Sequence, residues 1–133
     1  MTSVVLISQL KLLREGLQRL LEASEDVELL GAYGEVEDAL PEVRARRPDV
    51  ILLHWRALAA AGPPPLRLLA QEFPKLPVVL LLNRAQRSDV EAAQRRGAAG
   101  CLDLRVDASY LADALRLAAT GQFVAGPYVT NTG

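Results

Sequence analysis

The chain has 133 residues, of which 50% are hydrophobic and 23% are charged, and its formal net charge at pH 7 is −1. A chain of this size and composition can bury an apolar core as one globular domain. The balanced charge argues against a domain that binds nucleic acid non-specifically through a basic surface.

Neither an export signal nor a membrane anchor is indicated. The first residues, Met1, Thr2 and Ser3, lack a basic stretch, and the apolar runs are far shorter than a membrane span. We therefore expect a cytoplasmic protein that binds no membrane. The single cysteine, Cys101, excludes an internal disulfide, and its apolar surroundings favour a buried, inert thiol.

Short apolar runs alternate with longer amphipathic stretches along the whole chain. The runs predict strands at 4–7, 28–32, 50–53, 78–82 and 100–102, of which the second is polar enough for a sheet edge. The amphipathic stretches predict helices near 13–21, 36–43, 66–73, 88–97 and 107–118. Five strands that alternate with five helices indicate an α/β domain with a five-stranded parallel sheet and helices on both faces, in three layers.

The apolar pattern ends near residue 124. Residues 125–133 contain Gly, Pro, Thr and Asn in place of the periodic apolar residues. We therefore predict a domain at 1–124 that is followed by a linker or tail at 125–133, leading to a further domain.

His54 is the only histidine, and it follows a run of apolar residues that reads as a strand buried on both faces. In open parallel sheets, ligands bind beyond the carboxyl ends of the strands. His54 is therefore a candidate ligand-binding or catalytic residue.

Four segments together resemble a known family: REGL at 14–17, RPDVILL at 47–53, RGAAG at 96–100 and AATG at 118–121. Their order and spacing are similar to those of response-regulator receiver domains, most of all the NarL/FixJ/LuxR-type subfamily, from about Val4 to Val124. The resemblance implies a (βα)5 flavodoxin-like receiver fold.

Receiver domains of this family use an acidic pair that binds Mg²⁺, a phosphoacceptor aspartate, a Thr or Ser, and a Lys. The resemblance places these roles, in that order, on Ser8 and Gln9, His54, Leu82 and Leu104. Neutral oxygens bind a hard dication poorly, and leucine offers no hydrogen bond. The resemblance therefore implies a degenerate pseudo-receiver that lacks the phosphoacceptor aspartate, binds no metal or cofactor, and is not an enzyme.

Several readings of His54 remain open. In the first, it fills the vacated pocket and forms hydrogen bonds to Ser8, Gln9, Asn83 or Asp103. Alternatively, it accepts a phosphoryl group itself, binds a metal together with Asp103, or senses pH, because histidine titrates near neutrality.

Other residues near this edge have candidate roles. Asn83 and Arg105 each follow a family position by one residue, so each could replace the missing hydroxyl or ammonium group. Trp55 is predicted in the loop after the third strand, where it covers the pocket or docks a partner. The apolar, proline-rich segment 57–65 is predicted to form a rigid lid or a contact patch.

The function that these observations favour is a phosphorylation-independent dimerisation and regulatory module of a two-component-type transcription regulator. Leu12 and Leu117 fall off the main apolar stripes of their helices and are candidate contacts of a homodimer. DNA binding is assigned to a helix-turn-helix domain beyond Gly133, since this segment itself binds no nucleic acid. The alternatives are a small-ligand or redox sensor that uses the pocket near His54, Leu82 and Leu104, or a phosphotransfer protein that uses His54.

Overall fold

The structure is a computed structural model that describes residues 1–58 and 62–126. Its strands are β1 (Thr2–Ile7), β2 (Val27–Tyr33), β3 (Val50–Trp55), β4 (Val78–Leu82), β5 (Gly100–Asp103) and β6 (Val124–Ala125). Its helices are α1 (Lys11–Glu22), α2 (Val36–Arg46), α3 (Pro64–Glu72), α4 (Arg87–Arg95) and α5 (Ala108–Ala119).

All the strands are parallel and form one sheet in the order β2-β1-β3-β4-β5-β6. The predicted parallel α/β fold with five helices is confirmed, and the polar strand β2 lies at the sheet edge as expected. The predicted number of strands is wrong, because the sheet has six strands rather than five.

The additional strand, β6, pairs with β5 where Val124 lies opposite Gly100. A Cβ atom at Gly100 would lie 2.4 Å from Val124 Cγ2, so the absence of a side chain at residue 100 lets the two strands approach. The Tyr110 hydroxyl on α5 also donates a hydrogen bond to the Ala125 carbonyl oxygen. Ala125 therefore belongs to the sheet, and the rest of the predicted tail, from residue 127 onward, lies outside the described residues.

Two apolar cores lie on the two faces of the sheet. Buried residues of α1 and α5, such as Leu17 and Leu115, pack on one face. Buried residues of α2, α3 and α4, such as Val43, Leu69 and Ala93, pack on the other. Because both faces are covered, the central strands consist mainly of apolar residues, which is typical of parallel sheets.

The chain passes from β1 outward to β2 and then crosses to β3 on the other side of β1. Strand order therefore reverses between β1 and β3, and open parallel sheets bind ligands at the carboxyl edge beside such a reversal. Among the helices that the structure describes, none is long and apolar enough to cross a membrane.

Candidate functional site at the carboxyl edge of the sheet

Ser8 and His54 meet at the point where strand order reverses. Ser8 directly follows β1 and is fully buried, while His54 belongs to β3 and is 4% exposed. The Arg14 guanidinium on α1 donates a 2.7 Å hydrogen bond to the Ser8 carbonyl oxygen and so fixes the turn after β1.

Both ring nitrogens of His54 have partners. Nδ1 lies 3.3 Å from Ser8 Oγ, and Nε2 lies 2.6 Å from Asn83 Oδ1. An amide oxygen can only accept, so Nε2 donates to Asn83, and in the neutral ring Nδ1 accepts from the Ser8 hydroxyl. We call Ser8, His54 and Asn83 the histidine cluster, in which every partner of the ring is an uncharged side chain.

The other positions that the resemblance assigned to the site lie elsewhere. The Gln9 amide donates to the carboxylate of Glu35 rather than to His54. Leu82 is buried in the core that α2, α3 and α4 cover, whereas Leu104 packs against the core on the opposite face. The structure thus joins Ser8, His54 and Asn83 by hydrogen bonds, whereas Gln9 bonds to Glu35 and the two leucines pack against opposite cores.

Asp103 forms a second polar cluster at the same edge. Its side chain is fully buried, Oδ2 accepts from the Ala85 backbone N–H at 2.9 Å, and Oδ1 accepts from the Arg105 backbone N–H at 2.8 Å. Arg105 Nε also donates to Oδ1 at 3.0 Å. We call Asp103, Ala85 and Arg105 the aspartate cluster, and it joins the turn after β4 to the turn after β5.

Burial of the Asp103 carboxyl raises its pKa, but the hydrogen bonds from Arg105 and from the Ala85 N–H outweigh this effect. The net result is a pKa below the usual value for an aspartate. Hydrogen bonds to the ionised form stabilise that form. Asp103 is therefore a buried anion whose two carboxylate oxygens both accept hydrogen bonds. None of these hydrogen bonds comes from His54.

The prediction that Trp55 lies in a loop is wrong, since Trp55 is the last residue of β3. It is half-buried, pairs with Leu82 on β4, and packs against the core that α2, α3 and α4 cover. Strand β3 therefore continues for one residue beyond His54.

Of the predicted lid at 57–65, residues 59–61 lie outside the described residues.

The Cys101 thiol is buried in β5. Desolvation, together with the negative charges of Asp89 and Asp103, raises the pKa of Cys101 to about 12. The reactive form of cysteine is the thiolate. Cys101 is therefore an inert thiol in the folded protein at neutral pH.

The two candidate dimer contacts, Leu12 and Leu117, lie in different surroundings. Leu12 on α1 is 85% exposed, whereas Leu117 on α5 is half-buried against the core. Leu117 lies seven residues after Tyr110, on the same side of α5, and Tyr110 contacts Ala125 of β6. The two leucines therefore do not form one patch.

A groove between α1 and the start of α5 is almost wholly apolar. Two more exposed leucines, Leu10 and Leu20, border it together with Leu12. The residues that line the remainder of the groove include Leu13, Gly16, Leu17, Leu81, Leu104, Val106 and Leu111. Leu104, at the lysine position of the resemblance, lines this groove, as does Leu81, which pairs with His54 on the neighbouring strand.

Two arginines at this edge were not singled out from the sequence, namely Arg56 and Arg84. Arg56 directly follows β3, and Arg84 is the second residue after β4. The signal that could have found them is their position after predicted strands, because residues after parallel strands share one edge of the sheet.

The comparisons with known proteins agree with this fold. Residues 4–116 match the response regulator receiver domain family, and the chain belongs to that family. It is 30% identical over 128 residues to the transcriptional regulatory protein DegU of Brevibacillus brevis, with 96% of this chain and 54% of DegU covered.

Solved structures agree as well. A LuxR-family two-component response regulator from Aurantimonas sp. SI85-9A1 has a TM-score of 0.83 at 18% identity, with 98% of this chain and 94% of that chain covered. The signal receiver domain of the response regulator NarL from Mycobacterium tuberculosis has a TM-score of 0.75 at 27% identity, with 91% and 98% covered. The predicted LuxR/NarL/FixJ type of receiver domain is confirmed. The chain spans about half the length of DegU.

Proposed function

We propose that this chain is a pseudo-receiver, a receiver domain of a transcription regulator that signals without aspartyl phosphorylation and is not an enzyme. The observation that supports this proposal is the histidine cluster. The resemblance assigns the phosphoacceptor position to His54, and Ser8 and Asn83 engage both of its ring nitrogens. No carboxylate is available there to attack phosphorus.

The donor atoms at this edge do not fit the Mg²⁺ ion that the family requires. Mg²⁺ prefers carboxylate and water oxygens. The Ser8 hydroxyl is bonded to His54, the Gln9 amide to Glu35, and the Asp103 carboxylate to two backbone N–H groups. Within residues 1–58 and 62–126, no three His, Cys, Asp or Glu side chains form a group that could bind a metal.

The alternative roles of His54 and Cys101 have less support. A phosphotransfer histidine must present a free ring nitrogen to a partner protein, whereas His54 is 4% exposed and bonded through both nitrogens. A redox sensor needs an accessible thiolate. Cys101 is buried, and its pKa is raised to about 12.

We further propose that the domain acts in the cytoplasm as a homodimer that pairs through the groove between α1 and α5. Leu10, Leu12 and Leu20 are 44%, 85% and 47% exposed at the border of this groove. Apolar surface of this kind favours association over exposure to water. A DNA-binding output domain in the same protein would account for the relatives being about twice as long as this chain.

Phosphorylation is tested by incubating the protein with acetyl phosphate and Mg²⁺ and measuring the intact mass. We expect no gain of a phosphoryl group, in either the wild type or His54→Asp, because the other positions of the site stay substituted. A stoichiometric, Mg²⁺-dependent gain that His54→Ala abolishes would contradict the proposal.

Dimerisation is tested separately by sedimentation equilibrium. We expect Leu12→Glu with Leu20→Glu to weaken self-association, because both substitutions place charge in the apolar groove. The matched control is Ala45→Glu with Gln71→Glu, which adds the same charge at exposed positions on α2 and α3. A wild type that stays monomeric, or equal weakening by both pairs, would overturn the dimer.

A further inference from the structure

An arginine follows each of the three neighbouring strands β3, β4 and β5. These are Arg56, Arg84 and Arg105, and all three are exposed. Adjacent strands lie about 4.8 Å apart, so the three arginines start within a span of about 10 Å along the edge. Side chains as long as arginine can converge on one small ligand from such positions.

Backbone hydrogen bonds fix the turns that contain these arginines relative to one another. The Asn83 N–H donates to the Arg56 carbonyl oxygen at 3.3 Å, which joins the turns after β3 and β4. The Leu104 N–H donates to the Leu82 carbonyl oxygen at 2.8 Å, and Asp103 joins the same two turns through Ala85 and Arg105. The backbone positions of the three arginines are therefore fixed relative to one another before any ligand binds.

The carboxylates nearest to these turns are already engaged. Asp103 pairs with Arg105, and Asp107 accepts hydrogen bonds at the start of α5 from the Tyr110 N–H and the Ser109 hydroxyl. Within residues 1–58 and 62–126, Arg56 and Arg84 form no ion pair with an acidic side chain. Three arginines, Arg56, Arg84 and Arg105, thus lie near two carboxylates, Asp103 and Asp107, which leaves a net positive charge at this edge.

We propose that this edge binds a phosphate-bearing small molecule without covalent chemistry, through Arg56 and Arg84 and with Arg105 oriented by Asp103. Guanidinium groups match phosphate oxygens in charge and in fork geometry. The arginines also lie at the carboxyl edge, which is the side of open parallel sheets on which ligands bind. The inference rests on the proposed loss of phosphorylation, because an ionised acidic pair and aspartate would repel the phosphate.

The binding test uses inorganic pyrophosphate and isothermal titration calorimetry, in buffer without Mg²⁺. We expect saturable binding that weakens by at least about 10-fold in Arg56→Gln with Arg84→Gln, since each substitution removes charge-assisted hydrogen bonds. The matched control is Arg19→Gln with Arg95→Gln, which removes the same charge from exposed positions in the last turns of α1 and α4. The control should bind like the wild type.

A parallel titration with adenosine monophosphate distinguishes two sources of the phosphate group. Tighter binding than pyrophosphate identifies a nucleotide, and binding that is equal or weaker identifies a phosphate compound without a base. Absence of saturable pyrophosphate binding, or equal weakening by both double variants, would overturn the site. Neither result bears on the acetyl phosphate and sedimentation experiments, so a failure of this inference can be distinguished from a failure of the proposed function.

Discussion

The histidine cluster and the aspartate cluster lie on the same edge of the sheet, but their buried polar side chains have different kinds of hydrogen-bond partner. His54 is bonded by two uncharged side chains, and one of them, Asn83, is exposed. Asp103 is an ionised group whose partners include two backbone N–H groups and one guanidinium. Hydrogen bonds to a charged group contribute more than neutral ones.

The different hydrogen-bond partners indicate different roles for the two clusters. The resemblance assigns Ser8 and His54 of the histidine cluster to the family's phosphoryl chemistry, and only uncharged side chains bond to the ring. Asp103 lies two strands further than His54 from the reversal between β1 and β3, and it joins the turns after β4 and β5. We therefore expect substitutions in the aspartate cluster to affect stability more than substitutions in the histidine cluster.

The largest effect is expected for Asp103→Ala. The substitution leaves the buried Ala85 N–H without its acceptor and removes the ion pair with Arg105. We expect a loss of about 3 kcal/mol in the free energy of unfolding, measured by urea denaturation. The comparison variant is Asp107→Ala, whose exposed carboxylate caps α5, and an equal loss in both variants would contradict a special role for Asp103.

The pH dependence of the free energy of unfolding should show whether the charge on Asp103 causes its contribution to stability. The pKa of Asp103 is lowered in the folded state, so its contribution is present above the unfolded pKa of about 3.9 and is lost as the pH falls through the folded value. We expect Asp103→Asn to be less stable than the wild type by about 2 kcal/mol at neutral pH. Urea titrations at several pH values should show this gap narrowing below about pH 4. A gap that does not change with pH would show that the charge is not responsible.

A smaller effect is expected for His54→Leu, about 1.5 kcal/mol, because only the buried Ser8 hydroxyl loses its partner while exposed Asn83 can bond to water. Adding Ser8→Ala to this variant removes the orphaned hydroxyl. The double variant should therefore recover part of the loss, as replacing both partners of a hydrogen bond is nearly neutral. A further loss in the double variant would mean that Ser8 contributes to stability independently of His54.

The sequence predicted the elements better than it predicted the directions of their side chains. Strand β4 has the predicted bounds, because five apolar residues between polar turns leave little ambiguity. The resemblance assigned Leu82 and Leu104 to one pocket, whereas in the structure they pack against opposite cores. Side chains alternate across a strand, so one residue of offset changes the face.

Contacts between segments that are distant in the sequence were the other features that the sequence did not predict. Strand β6 has two residues, and its pairing depends on Gly100 and on the Tyr110 hydroxyl, which no local pattern connects to Val124. The partner of Asp103 is a backbone N–H, at Ala85, and backbone donors are the same at every position of a sequence except proline. His54 was found because a histidine after an apolar strand is unusual by residue type alone.

The smallest effect on stability is expected for Asn83→Ala, about 0.5 kcal/mol, because the amide is exposed and water can replace it. Its effect on the imidazole should be clearer, since Asn83 Oδ1 is the acceptor that places the proton on Nε2. Nitrogen NMR of the ring should show mainly the Nε2–H tautomer in the wild type and a larger share of Nδ1–H in Asn83→Ala. Ser8→Ala serves as the control, because it removes the partner of Nδ1 and should leave the proton on Nε2. An unchanged ring spectrum in Asn83→Ala would mean that Ser8, rather than Asn83, sets the tautomer of His54.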